Sequence, residues 1–172
     1  VLGFDDRFGA STITQQLIKN VTGNDEITVK RKLQEILYAY DLEKKMSKEE
    51  ILACYLNVIN LSQGCYGVGA ASDIYYSKPV EELTLSECAT IAAITNSPTY
   101  YNPIRNPENN KERRDLILNE MLEQGFVEEA EYLEAINSDI ELNVNEKAIS
   151  ETVNSWYIDM VVDDVIADLV KT

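Results

Sequence analysis

Apolar residues recur at intervals of three and four positions along most of the chain, the spacing that places side chains on one face of an α-helix. Turn residues separate these stretches, and no two segments alternate in a way that indicates paired strands. The pattern therefore predicts a mainly α fold. The predicted helices with two defined ends span residues 11 to about 20, 28–46, 47–57, 84–94 and 106–125. A further helix ends near residue 76, a short one begins at about 127, and the last begins at about 150.

Polar residues at several helix starts support these boundaries. Ser47 with Glu50, and Thr84 with Glu87, have the spacing of a capping box. Ser11 stands where its hydroxyl can cap the first helix. We therefore expect three of the helices to begin at these residues.

The two helices predicted between 28 and 57 carry regular apolar positions. On the first, the apolar positions are Leu33, Ile36, Leu37 and Tyr40. On the second, the expected core residues are Ile51, Leu52, Tyr55 and Leu56. This periodicity favours helices that each bury one face.

The first predicted helix is unusually polar. Its sequence, GASTITQQLIKN at 9–20, places Ser11, Gln15 and either Ile18 or Lys19 on one face. Hydroxyl, amide and ammonium groups at a helix N-terminus can hold an anionic, hydroxyl-rich ligand such as a sugar phosphate. The alternative is a capped surface helix whose polar groups are solvated.

A carboxylate and two cations lie within one turn of the next helix. Arg31 precedes Glu35 by four residues, and Lys32 precedes it by three. A carboxylate flanked in this way is expected to stay ionised, which suits electrostatic or orienting work more than proton donation. The alternative is an ordinary surface ion pair, contributing about 0.2–0.5 kcal/mol.

Two further segments are less specific. Asn57 ends KEEILACYLN and is most simply a residue at the C-terminus of a helix. The stretch GCYGVGAAS, 64–72, permits close approach of the backbone but fits neither nucleotide-binding glycine pattern. Close helix packing is the simpler explanation of Ala70 and Ala71.

Composition and charge limit the kind of protein this chain can be and the kind of ligand it can bind. The chain has 172 residues, enough for one ordinary domain, and its 45% hydrophobic and 26% charged residues are typical of soluble globular proteins. A net charge of −15 argues against nucleic acid as a partner. Residues 51–172 carry 21 acidic and 7 basic side chains, whereas seven of the fifteen cations lie between Lys19 and Lys48. An anionic ligand should therefore bind in the latter region.

Histidine is absent and three cysteines are present: Cys54, Cys65 and Cys88. Without histidine, Ser-His-Asp and Cys-His mechanisms are excluded, so acid–base chemistry falls to carboxylates. The cysteine spacing fits no zinc site, and three cysteines cannot all pair within one chain. We interpret them as small buried hydrophobic residues.

Taken together, four segments form a larger pattern: GASTITQQLIKN (9–20), RKLQE (31–35), KEEILACYLN (48–57) and GCYGVGAASDIYYSK (64–78). In this order and spacing they resemble the peptidoglycan glycosyltransferase (transglycosylase) domain of monofunctional transglycosylases and class A penicillin-binding proteins. Two downstream segments, at 83–103 and 106–126, resemble later helices of that family. The resemblance covers roughly 9–137 and implies a lysozyme-like multi-helix fold.

The resemblance implies a reaction on lipid II, the lipid-linked disaccharide-pentapeptide. The 4-hydroxyl of one sugar attacks the anomeric carbon of the growing glycan strand, and undecaprenyl pyrophosphate leaves with inversion. It also implies roles for residues of this chain, with Glu35 as the second essential glutamate of the family. The substrate-binding positions that it implies are Ser11, Thr12, Gln15, Gln16, Lys19, Arg31, Lys32 and Asn57. Tyr66 and Gly67 would shape the cleft.

The chain departs from the family pattern in ways that affect activity. The acidic Glu-Asp pair that supplies the family's general base should lie some tens of residues before Gly9, and Asp5-Asp6 lacks the right flanking sequence. Ile27 stands where many members have arginine. We therefore expect an N-terminally truncated domain with little activity by itself. No metal is required, although Mg²⁺ or Mn²⁺ could accompany the pyrophosphate.

Further expectations concern organisation and partners. We expect a partial glycosyltransferase domain at 1–149, followed at 150–172 by a helix that leads to a linker or transpeptidase domain. The resemblance implies binding of lipid II, nascent glycan and moenomycin-type inhibitors, with the missing segment at the membrane surface. It places the parent protein at the outer face of the bacterial cytoplasmic membrane, with this chain itself soluble.

Two other function classes stay open on the sequence. A lysozyme-like hydrolase or lytic enzyme would act on the same glycan, but it needs an acid in an apolar pocket rather than one beside two cations. A non-catalytic helical module could instead bind a basic partner through the acidic C-terminal half. Analysis of the reaction products would distinguish the hydrolase from the transferase. Binding that is lost in salt would indicate the non-catalytic module.

Overall fold

The computed structural model describes residues 11–23 and 28–145, which form seven α-helices. The helices are α1 (Ile13–Thr22), α2 (Val29–Lys45), α3 (Lys48–Val58), α4 (Val68–Tyr76), α5 (Leu85–Ile94), α6 (Pro107–Glu123) and α7 (Glu129–Asn137). Within these ranges the one β feature is an isolated bridge between Asn60 and Tyr66. The predicted mainly α class is confirmed. None of the described helices is long and apolar enough to cross a bilayer.

Several predictions concern residues outside the described ranges. They include the Asp5-Asp6 pair, the start of the polar segment at Gly9-Ala10, the departure at Ile27 and the C-terminal helix at 150–172. The described residues divide into two compact units, the N-terminal unit up to residue 58 and the second unit from residue 59.

Helices α1, α2 and α3 build the N-terminal unit, and α1 packs on both of the others. Thr28 caps α2 by accepting from the Arg31 backbone N–H at 3.1 Å. The Ser47–Glu50 capping box at α3 is confirmed in both directions, at 2.7 and 3.2 Å. Gly23, with φ of +60°, ends α1.

The N-terminal unit buries a different set of side chains than periodicity alone suggested. Its buried apolar residues are Leu17, Ile18, Val21, Ala39, Leu42, Ile51 and Tyr55. Helix α2 meets α1 through the face of Glu35, Ala39 and Leu42, so its apolar stripe of Leu33, Ile36, Leu37 and Tyr40 lies on a different face and is exposed. The expectation that Leu52 is a core residue is wrong, since that side chain is 43% exposed.

In the second unit, α5, α6 and α7 surround a small apolar core. Ala89, Leu118 and Ala135 are buried at its centre, one from each helix. The Thr84–Glu87 capping box that starts α5 is confirmed. Arg114 on α6 is also fully buried.

Glycines in the loop before α4 act through backbone conformation. Gly64 and Gly67 have φ of +75° and +83°, which favours glycine at both positions. Gly69 lies inside α4, and a Cβ there would meet no atom within 4 Å, so close approach does not explain this residue. Ala71 is buried whereas Ala70 is exposed, which limits the packing explanation to Ala71.

The prediction of three buried cysteines is correct for one of them. Cys65 is buried, Cys54 is half-buried and Cys88 is exposed, and all three are free thiols. Cys88 faces outward because its neighbours Ala89 and Thr90 supply the buried face of α5.

Candidate functional site

The ammonium group of Lys32 joins α2 to the N-terminal end of α1. Lys32 Nζ donates to Ser11 Oγ at 2.6 Å and to Gln15 Oε1 at 3.1 Å. It also lies 3.3 Å from Glu35 Oε2. These residues, together with Arg31, form what we term the Lys32 cluster. The cluster joins two sets that the sequence analysis proposed on different helices, Ser11 with Gln15 on one and Arg31, Lys32 and Glu35 on the other.

Glu35 is held between both cations of its own helix. Its Oε1 lies 2.9 Å from Arg31 Nη1, one turn earlier, and its side chain is 7% exposed. The predicted pairing with Arg31 and Lys32 is confirmed. The alternative of an ordinary surface ion pair does not describe it, because a carboxylate buried to this extent depends on its charged partners.

The charge and exposure of the cluster suit an anionic ligand. Its own side chains carry two positive charges and one negative charge. The Lys32 side chain is 37% exposed, so the cluster is open to solvent on one side. A ligand that takes a hydrogen bond from the ammonium would share or replace one of its three present partners. The Ser11 hydroxyl and the Gln15 amide supply uncharged hydrogen-bonding groups at the same place.

The cap of α1 explains why Ser11 is available to Lys32. Thr12, not Ser11, caps this helix: Thr12 Oγ1 accepts from the Gln15 backbone N–H at 3.2 Å. The predicted Ser11 cap is therefore wrong, because the helix begins two residues after it. Ile18, which periodicity allowed on the polar face, is instead 1% exposed and belongs to the core.

Gln16 lies beside the cluster but is held by a different helix. Tyr55 Oη on α3 donates to Gln16 Oε1 at 3.2 Å, and Gln16 Nε2 donates to the Ser11 backbone carbonyl at 3.4 Å. Burial raises the pKa of the Tyr55 phenol, which keeps it a donor at neutral pH. The two adjacent glutamines are thus oriented separately.

Two other residues proposed for the site, Lys19 and Asn57, are not part of the Lys32 cluster. Lys19 is exposed in the last turn of α1, four residues after Gln15 and therefore on the same helix face. Asn57 is exposed near the end of α3, and its Nδ2 donates to the Ala53 carbonyl of the same helix at 2.8 Å. The structure therefore gives Asn57 a contact within α3 rather than one in the Lys32 cluster.

Two contacts near the site had no signal in the sequence. Thr14 Oγ1 donates to Glu43 Oε1 at 2.6 Å, tying α1 to the C-terminal half of α2. The other is the Tyr55–Gln16 hydrogen bond. The partners are 29 and 39 residues apart, beyond the range of any helical spacing rule.

The described residues offer no protein site for a divalent metal. In the ranges 11–23 and 28–145, no three carboxylate or cysteine side chains are grouped closely enough to hold an ion. Glu35 is the one carboxylate of the Lys32 cluster, and both of its oxygens face cations. A divalent cation at the cluster would therefore depend on oxygens of the substrate pyrophosphate, as Mg²⁺ commonly does.

Comparison with known proteins identifies the fold and the family. The transglycosylase family model matches residues 2–122. The chain is 42% identical to penicillin-binding protein 1F of Bacillus subtilis over 91% of its length, and 41% identical to penicillin-binding protein 1A of Aquifex aeolicus over 89%. It covers 22% and 21% of those relatives, about a fifth of their length.

A solved structure agrees with this comparison. The crystal structure of penicillin-binding protein 1A from Haemophilus influenzae matches 77% of the chain, and 17% of its own, with a TM-score of 0.51 and 29% identity. The matched family model spans the described N-terminal unit, extends into the second unit as far as residue 122, and includes every residue of the Lys32 cluster. The chain belongs to the transglycosylase family and carries the peptidoglycan transglycosylase domain of class A penicillin-binding proteins.

Proposed function

We propose that the Lys32 cluster binds the pyrophosphate and neighbouring sugar of lipid II during glycan polymerisation. The observation that carries this proposal is the position of Lys32 Nζ, within 3.3 Å of Ser11, Gln15 and Glu35. A partly exposed lysine beside hydroxyl and amide groups matches a ligand that combines phosphate and sugar oxygens.

In this reaction the leaving undecaprenyl pyrophosphate accumulates negative charge as its bond to the anomeric carbon breaks. Arg31 and Lys32 stabilise that charge, and Lys19 supports them from the same face of α1 as Gln15. Ser11, Thr12, Gln15 and Gln16 line the cleft, and Asn57 contributes indirectly through the end of α3.

Glu35 acts in this scheme as a catalytic carboxylate that fixes the two cations. Both of its oxygens face Arg31 and Lys32, so it is poorly placed to take the proton of the acceptor hydroxyl. We assign the role of base to the family's acidic Glu-Asp pair instead. The site belongs at the outer face of the bacterial cytoplasmic membrane, where lipid II is consumed.

Polymerisation of lipid II by the longer protein that carries this domain tests the proposal. Lys32→Met should lower kcat/KM by about 10²–10³-fold, the usual loss when a preorganised electrostatic contact is removed. Lys44→Met is the matched control: it removes the same charge from the same helix, where Lys44 stacks on the Tyr40 ring. Near-normal activity of the Lys32 variant would overturn the role assigned to the cluster.

Two further measurements separate the alternatives. Longer glycan as the product supports the transferase, whereas release of muropeptides supports a hydrolase. Moenomycin-type inhibitors should bind the 172-residue chain and lose affinity on Lys19→Met or Lys32→Met. Turnover by the 172-residue chain alone would contradict the assignment of the base to the Glu-Asp pair.

A further inference from the structure

The hydrogen bond from Tyr55 to Gln16 fixes one side chain of the proposed site from outside it. Tyr55 is 8% exposed and packs in the core of the N-terminal unit, with its hydroxyl 3.2 Å from Gln16 Oε1. Gln16 itself is half-buried, so part of its side chain is accessible. A buried phenol thus meets the amide of a residue that borders the Lys32 cluster.

This contact determines which atoms Gln16 can offer. A carboxamide has one acceptor oxygen and two N–H donors. Because Oε1 accepts from Tyr55, the amide is oriented with Nε2 on the opposite side, where one N–H reaches the Ser11 carbonyl at 3.4 Å. The second N–H can be donated to an oxygen of a ligand.

The neighbouring glutamine has a different partner. Gln15 Oε1 accepts from Lys32 on α2, whereas Gln16 Oε1 accepts from Tyr55 on α3. Residues on two separate helices therefore hold the oxygens of the two amides. Without the Tyr55 hydroxyl, the Gln16 amide could rotate and present its oxygen, which would repel an acceptor.

We infer that Tyr55 is a positioning residue that holds Gln16 as a hydrogen-bond donor to an acceptor oxygen of the lipid-linked sugar. This inference rests on the proposed function of the Lys32 cluster. The ligand chemistry is that of sugar hydroxyl, acetamido carbonyl or phosphate oxygens, all of which accept hydrogen bonds.

The test is a double-mutant cycle on lipid II polymerisation by the longer protein. Tyr55→Phe keeps the ring in the core and removes only the donor. It should raise KM about three- to tenfold with a smaller change in kcat, the pattern of a lost binding contact. In a Gln16→Ala background the same substitution should have no further effect on KM.

Controls separate positioning from stability and from the proposed function. Tyr40→Phe, at an exposed tyrosine of the same unit, should leave KM unchanged. Two results would overturn the inference: an unchanged KM for Tyr55→Phe, or the same rise in KM with Gln16 present and with Gln16→Ala. If Lys32→Met still lowers kcat/KM in that case, the proposed function stands without the inference. If Lys32→Met also retains full activity, the proposed function itself fails, and this inference fails with it.

Discussion

Lys32 Nζ lies 2.6 Å from Ser11 Oγ, although 21 residues separate them in the sequence. The same ammonium reaches Gln15 on α1 and Glu35 on α2. Its position therefore depends on the packing of two helices rather than on α2 alone. An anion that binds this ammonium would meet the start of α1 at the same time.

Removing the Ser11 hydroxyl should weaken ligand binding through Lys32. We expect Ser11→Ala to lower affinity for a moenomycin-type inhibitor about two- to tenfold, since one hydrogen bond that orients the ammonium is lost. Titration calorimetry measures this effect. In a Lys32→Met background, Ser11→Ala should cause no additional loss. Thr22→Ala is the control, because Thr22 Oγ1 donates within α1 to the Ile18 carbonyl.

Arg114 should be the most sensitive polar position of the second unit. Its guanidinium donates to Ser86 Oγ and to the carbonyls of Ser138 and Ile136, and it pairs with Asp115 at 2.7 Å. Arg114→Met should lower the free energy of unfolding by about 3–5 kcal/mol, because the buried partners lose their donors. Chemical denaturation measures it. The exposed Arg105→Met should cost little, and equal effects would contradict this account.

Replacing Gly69 or Gly125 by alanine should change the stability of the protein in opposite directions, although both glycines have open space around them. Gly69 lies inside α4, and Gly125 follows α6 with φ of +72°; a Cβ at either position would meet no atom within 4 Å. Gly69→Ala should stabilise the protein by up to about 1 kcal/mol, because alanine favours the helix. Gly125→Ala should cost about 1–2 kcal/mol in backbone strain. Thermal melts compare them, and a shift of the same sign in both would refute the argument.

The Lys78–Glu87 ion pair should make the free energy of unfolding depend on pH. Burial tends to raise the pKa of Glu87, but the hydrogen bond to Lys78 and the cap at Thr84 outweigh it, so the pKa lies below 4.5. The folded state therefore binds fewer protons than the unfolded state as the pH falls. The stabilisation is complete above the unfolded pKa and is lost on acidification through the folded pKa.

Substitution of Lys78 measures that dependence. The difference in melting temperature between the natural chain and Lys78→Met should be largest near about pH 7 and should shrink at about pH 3 and below. Glu87→Gln should abolish the same pH dependence. A difference that stays constant with pH would show that packing of Lys78, whose ammonium lies 5.8 Å from the centre of the Tyr76 ring, matters more than its charge.

The cysteines should react in the order of their exposure. Cys65 is 3% exposed, and burial raises the pKa of its thiol to about 11. Partial burial and the nearby Glu87 also raise the pKa of the Cys88 thiol, but this side chain is exposed, so a reagent can reach it. Because the thiolate is the reactive form, a disulfide reagent should label Cys88 in the native chain and Cys65 only on unfolding. Cys88→Ser should remove the fast phase of labelling. Rapid native labelling of Cys65 would contradict the burial.

Short-range features of this protein were predictable because their partners lie within one helical turn. The capping boxes at Ser47 and Thr84 depend on a spacing of three residues, and the Arg31–Glu35 pair on a spacing of four. Even so, Thr12 rather than Ser11 caps α1, since adjacent hydroxyl residues satisfy the same local rule. The helical class and the Arg31–Lys32–Glu35 group follow from the sequence for this reason.

Tertiary packing decided the features whose partners are distant. Periodicity marked Leu33, Ile36 and Leu37 as apolar, but the face of α2 that meets α1 carries Glu35 and Ala39 instead. The contacts from Lys32 to Ser11 and from Tyr55 to Gln16 likewise exist because α1 packs on both α2 and α3. The sequence by itself determined the helices and the chemical groups that they carry. Only the packing of those helices decided which groups meet, because such contacts depend on burial across 20 to 40 residues of chain rather than on local spacing.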